Sequence, residues 1–493
     1  MNTTGLRLIF LIALAGFISC HSEKAVAPPP PEIPPEAFVV PPSPAPEIPP
    51  EAPVVPPSPA RPPAQPTLED YLAEIAALLD KGDYEGALAE FSKIPSPEAE
   101  SAGIRLLRVS VLSSAGKLAE ARQAVEAVIK DHPQNMDALF VLSTIEGASG
   151  KDREQRALLD RILKAQPGHV DSLISLGDLN LQRRSWKAAA DYFDQALKAE
   201  PQNHDALLGR AGVYRYQRDR KNAEALLNKV ISLYPGSFRG WSERARLYRE
   251  ADYPSLAMAD IDRAKKLAPN NYWVAVDRGS ILLDLNKRSE ALEEFRQAIA
   301  MDPNNFLAYI YSAGIKDDTD DYEGAEHDYG ILTKLNPDYY FAFEGLGMYK
   351  MKKGLWAEAR NAFQEAYKRA PTETSYALLA AINWMRATGR PGDAKNFLAQ
   401  ALRTIPRETP EWYLFRLFHD MAGDNDVAMR ADREKIPEKK ARLLFYLANY
   451  YDIRGNKALA EKYYVQSGEL GRQGIPEWKL NQWTLESRNL VSF

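Results

Sequence analysis

Small and apolar residues return at a fixed interval along this chain, with polar positions filling the space between. Eight prolines lie 34 residues apart: Pro133, Pro167, Pro201, Pro235, Pro269, Pro303, Pro337 and Pro371. Ala121, Ala189, Ala223, Ala257, Ala291, Ala325 and Ala359 each stand twelve residues before one of them. A register held this long marks a stacked repeat, and a 34-residue period fits one helix–turn–helix unit. The unit from Val170 to Asn203 puts Gly177 on its first helix and Ala189, Phe193 and Ala196 on its second, with Pro201 closing it. Small residues let the paired helices approach, and the aromatic fills the gap to the next unit. Proline lacks the N–H that would continue the helix and pushes its predecessor out of the α region.

Position by position, these units resemble the tetratricopeptide repeat (TPR) family. Eight units run unbroken over 102–373. Gly82, Ala87, Phe91 and Ile94 hold the phase upstream, and Ala394, Leu398, Ala401 and Pro406 follow with a one-residue insertion. The stretch 407–437 is degenerate, and Ala448, Tyr451, Gly455, Ala460 and Tyr464 restore the pattern. Gln155 stands where alanine is expected, which predicts a looser or shifted unit. The resemblance covers 67–470 and implies an all-α fold, a right-handed superhelical solenoid of about twelve helical hairpins. Residues 471–493 read as a C-terminal capping helix, begun by Pro476, with Leu480, Trp483 and Leu490 on one face.

In this family the first helices form the concave wall that receives a partner. Projecting the register places Asp137, Phe140, Asp171, Ile174, Asp178, Asp205 and Leu208 on that wall, followed by Arg215, Tyr216, Arg239, Ser242, Glu243, Arg246 and Arg249. Trp273, Asp277, Ser280, Asp284, Ile310, Asp317, Asp318, Phe341, Glu344, Met348 and Met351 continue it. The wall is banded acidic, basic, acidic. Arg215, Arg239, Arg246 and Arg249, with Tyr216, Trp273, Asp277 and Phe341, form the expected partner-binding set. Arginine suits carboxylates and the rings offer anchors, so an anionic peptide is the expected ligand. A deep pocket around Trp273, Phe341 and Met348 would instead point to a small ligand or glycan, passed to an envelope transporter or enzyme. The lysine and asparagine clamp of the chaperone-binding members is absent: its positions hold Leu106, Ser110, Phe140, Thr144, Ile174 and Asp178.

The first nineteen residues read as a signal peptide. Arg7 precedes the apolar run Leu8 to Ile18, which at about 1.5 Å per residue is too short to span a bilayer. Phe17-Ile18-Ser19-Cys20 resembles the lipobox of bacterial lipoproteins, and Cys20 is the single cysteine of the chain. The resemblance implies lipidation of Cys20 and attachment to the cell membrane or outer membrane. His21, in place of an aspartate, favours the outer one. Residues 20–66 form a linker in which Pro28 to Pro66 hold 19 of the 35 prolines. Proline excludes helix and sheet there, and polyproline II would extend these residues to on the order of 120 Å.

Composition narrows the function further. A net charge of −5 over 493 residues lacks the basic field that nucleic acid requires. One thiol excludes an internal disulfide and a thiolate zinc site. No phosphate loop, dinucleotide fingerprint, zinc-protease pair or nucleophile elbow occurs, so no catalytic residue and no cofactor is assigned. Asp317-Asp318-Thr319-Asp320-Asp321 lacks a calcium-loop layout and reads as a solvated turn. The layout resembles lipoproteins that assist outer-membrane assembly, pilus assembly or cell-wall synthesis. The expected partner is another protein or peptide of the cell envelope.

Overall fold

The computed structural model describes residues 66–471 and 474–490. The signal segment, Cys20 and all of the linker but Pro66 lie outside the described residues. Within them, 25 α-helices follow one another and no strand occurs. None of these helices is long and apolar enough to cross a membrane. The chain divides into two compact units, one ending at Ala268 and the other beginning at Pro269.

The first unit pairs its helices in order. They are α1 (Leu68–Asp80) with α2 (Tyr84–Glu90), α3 (Ala102–Ser114) with α4 (Leu118–Asp131), and α5 (Met136–Ala148) with α6 (Asp152–Ala165). Then come α7 (Val170–Gln182) with α8 (Trp186–Ala199), α9 (His204–Tyr216) with α10 (Arg220–Leu233), and α11 (Phe238–Glu250) with α12 (Pro254–Leu267).

The second unit continues with α13 (Tyr272–Asp284) and α14 (Arg288–Met301), α15 (Phe306–Asp318) and α16 (Tyr322–Leu335), and α17 (Tyr340–Lys352) and α18 (Trp356–Arg369). Three less regular pairs follow: α19 (Thr374–Thr388) and α20 (Lys395–Leu402), α21 (Pro410–Asp420) and α22 (Asp424–Arg433), and α23 (Pro437–Ile453) and α24 (Lys457–Gly468). A single helix, α25 (Pro476–Ser487), comes last.

Local sterics fix the turns. The residue before each proline of the comb leaves the α region, with φ between −126° at Ala370 and −139° at Asn336, so each second helix stops ahead of its proline. Two residues beyond, a side chain caps the next first helix after all but Pro337 and Pro371: Asn135 Oδ1 accepts from Ala138 N at 2.9 Å, and Asn203 Oδ1 from Ala206 N at 3.0 Å. Inside each regular hairpin the chain reverses through one left-handed residue. These too repeat every 34 positions, at Gly116, Gly150, Arg184, Arg218, Asp252, Asn286, Asp320 and Gly354.

The core is the seam between helices. The alanines of the comb are fully buried. Phe193 of α8 lies over Gly177 of its own hairpin and Gly209 of the next; a Cβ on Gly177 would stand 2.6 Å from that ring. Gln155 does not open its hairpin: its side chain lies over Gly147, where a Cβ would be 2.7 Å away, so a missing side chain makes the room. The degenerate stretch folds too, with Leu414, Phe415, Leu417 and Phe418 of α21 and Val427 and Ala431 of α22 buried.

The tail does more than close the last hairpin. Asn481 Nδ2 donates to Tyr464 O at 3.0 Å, and buried Glu477 accepts from Ser375 Oγ at 2.5 Å and Tyr446 OH at 2.8 Å. The same helix reaches back to the second hairpin of the unit, α15 and α16, where Lys479 Nζ is 2.7 Å from Asp317 Oδ1 and Trp483 Nε1 is 3.3 Å from Tyr322 OH. Leu490 belongs to the turn after α25 and not to its face: its N–H bonds to Leu485 O at 3.0 Å.

Candidate functional site

First helices carry the residues expected to meet a partner. At the end of α9, Arg215 Nη1 stands 2.5 Å from Glu250 Oε1, and its Nε lies 3.8 Å from Glu243 Oε2. Its guanidinium lies over the Tyr216 ring at 4.5 Å. Tyr216 stacks on Trp186 at 4.9 Å and keeps 48% of its surface exposed. Arg239 pairs with Asp205, and Arg246 Nη1 lies 2.5 Å from Glu243 Oε1. Burial works against the Glu243 charge, yet Arg246, Arg215 and Arg239 hold its carboxyl below the usual range. Arg249 is likewise engaged within the fold.

The arginine band is therefore neutralised from inside. Each of Arg215, Arg239 and Arg246 already holds a carboxylate, so the first unit does not present the unbalanced positive surface that the banding of the sequence suggests. Several residues projected onto the wall are buried in helix seams instead: Ile174, Leu208, Ser242, Ser280 and Met351. Asp171 keeps an exposed surface, yet the protein mass around its carboxyl, with Glu200, Asp205 and Asp137 nearby, lifts it above the usual range against the pull of His169.

In the second unit Trp273 lies against Tyr272 at 5.0 Å between ring centres. The Asp277 carbonyl accepts from Ser280 Oγ at 2.7 Å. Phe341 stacks on Tyr340 at 4.2 Å and is 47% exposed. A cavity of about 320 Å³ opens beside it, bounded by α15, α16 and α17. Asp317, Phe341, Glu344 and Met348, all projected from the register, line it; Trp273 does not. Ile310, also projected, lines it too, and Tyr329, Tyr339 and Tyr349 add aromatic walls. Sequence reasoning followed first-helix positions and so missed Tyr329, on a second helix, and Tyr339, in a turn; Tyr349 lies on the first helix α17, outside the projected positions. The acidic run around Asp317 is likewise split. Asp317 lines the cavity, Asp318 and Asp320 are exposed, and Asp321 Oδ1 caps α16 through Gly324 N at 3.0 Å.

A family model described as tetratricopeptide repeat matches residues 106–170, 148–204, 174–237 and 315–374, and a second with that description matches residues 275–305. These segments are tetratricopeptide repeats. No curated protein matches the chain. Among solved structures, a tetratricopeptide repeat protein from Parabacteroides merdae is 22% identical, with TM-score 0.41, covering 50% of this chain and 96% of its own. YrrB, a TPR protein described as having an unusual peptide-binding site, is 18% identical, with TM-score 0.28, over 37% of this chain and 95% of its own. Human IFIT1 is 13% identical, with TM-score 0.45, over 83% and 91%. These likenesses extend to the kind of repeat and no further. Among the described residues, Tyr216 and Phe341 are the large aromatic side chains left exposed on first helices.

Proposed function

We propose that this chain is a scaffold that binds another protein or peptide on the first-helix faces of its tetratricopeptide repeats. Its place is the bacterial cell envelope, where a lipid on Cys20 holds it at a membrane and the proline linker sets the repeats away from the surface. The observation that carries the binding reading is the exposure of Tyr216 and Phe341. Large rings left half in water on first helices spend part of their apolar surface outside the core, and such rings are the usual anchors of an interface. The arginines around Tyr216 brace the wall through Glu243, so replacing them would disturb the fold together with the site.

Photocrosslinking in intact cells separates the two. A photoreactive phenylalanine in place of Tyr216 captures a discrete partner, identified by mass spectrometry. The same group at exposed Lys187, on the second helix α8, captures little. Equal labelling from both positions would end the reading.

A further inference from the structure

The cavity of the second unit pairs aromatic and thioether walls with two carboxylates. Tyr329, Tyr339, Phe341 and Met348 supply the apolar lining, and Asp317 and Glu344 supply the charge. Its volume of about 320 Å³ lies at the small end of ligand pockets, which run from about 300 to 1,000 Å³. Ring faces are negative at their centres and attract cations, while an aliphatic stem packs well against rings and methionine. The lining thus complements a long apolar stem ending in a positive group.

The protein itself shows which positive group this neighbourhood accepts. Lys479 of α25 sets its ammonium 2.7 Å from Asp317 Oδ1 and 3.1 Å from the Asp317 carbonyl. That nitrogen lies 5.3 Å from the Trp483 ring centre. Lys352 places its own ammonium 3.1 Å over the Tyr322 ring. Two ammonium groups are therefore seated on aromatic and carboxylate partners next to the cavity.

Glu344 differs from Asp317. It accepts a hydrogen bond from Tyr376, and among the described residues no lysine or arginine pairs with it. Burial, together with the charges of Glu477, Glu373 and Asp317, lifts its carboxyl above the usual range despite the Tyr376 bond. A partly buried carboxylate that has like charges nearby and no ion pair of its own among the described residues is a cost to the fold that a bound cation would relieve.

We infer that the cavity receives the lysine side chain of a basic partner segment, with the ammonium placed between Glu344 and Asp317 and the stem against Phe341 and Met348. This rests on the scaffold reading and assigns the second unit a partner chemistry opposite to the anionic peptide that the arginine band suggests.

The test uses the full chain with ¹³C-methyl methionine, the Met348 methyl being assigned by Met348→Leu. The probe is an acetylated octapeptide of glycine and serine with one central lysine. The lysine peptide shifts the Met348 methyl saturably, and the same peptide with norleucine does not. Glu344→Gln weakens binding by about tenfold or more, and Phe341→Ala by at least about threefold. Phe341 is half exposed, so its loss decides the matter even where the Glu344 variant folds poorly. A norleucine peptide that binds as well, or both variants binding within about twofold of wild type, overturns the inference. Methylammonium binding as tightly as the peptide would make this a site for a free amine and also overturn it. If the peptide fails while Tyr216 still captures its partner, the pocket assignment falls and the scaffold stands; if both fail, both fall.

Discussion

At Glu344 a carboxyl accepts one hydrogen bond, from Tyr376, and stands near the charges of Glu477, Glu373 and Asp317. Its pKa is raised in the folded chain, so the folded state holds this proton more tightly than the unfolded one. The associated stability is full below the unfolded value and is lost as pH rises through the folded one. Glu344→Gln keeps an acceptor for Tyr376 and removes the charge. Thermal unfolding should therefore show the variant more stable than wild type at neutral pH, with the difference shrinking on acidification. A variant less stable at neutral pH would mean that the carboxylate is structurally compensated. At the same scale, Gly177 and Phe193 were legible from the register, because a large ring needs a vacant Cβ opposite it. Gly209 was not, since it meets the same ring from the following hairpin.

The hairpin is decided by short-range sterics, and its prolines and alanines could be read directly. Its third periodic feature is conformational and hides behind varied residue types: the left-handed turn position holds glycine in some repeats and Arg184, Arg218, Asp252, Asn286 or Asp320 in others. A left-handed arginine costs roughly 1–2 kcal/mol, and glycine gives back part of that through its own chain entropy. Arg218, exposed at φ +61°, is the suitable site. Arg218→Gly should stabilise the chain by about 0.5–1 kcal/mol in denaturant unfolding. An unchanged or lowered midpoint would show that the turn is not strained there. Helices α21 and α22 carry no comb residues, so the period could not place them. Their apolar positions pack into a hairpin all the same.

For the molecule as a whole, the proposed attachment rests on the segment before the repeats. Cys20→Ser should move the protein from the detergent phase to the aqueous phase on temperature-induced separation, because the acyl chains are the expected source of membrane affinity. Unchanged partitioning would remove the lipid from the proposal. The 34-residue spacing by itself determined an all-helical stack, its hairpin boundaries and most of its buried seams, since these depend on contacts within one repeat or between adjacent ones. Tertiary structure alone decided where the charges settle. Glu243 gathers arginines from its own and neighbouring first helices, and Lys479 reaches Asp317 across 162 positions. Tyr329 and Tyr339 turn a stretch of first-helix wall into a cavity. A period records what every repeat shares, whereas a site is made from what a few repeats do differently and from segments far apart in the chain that folding brings together.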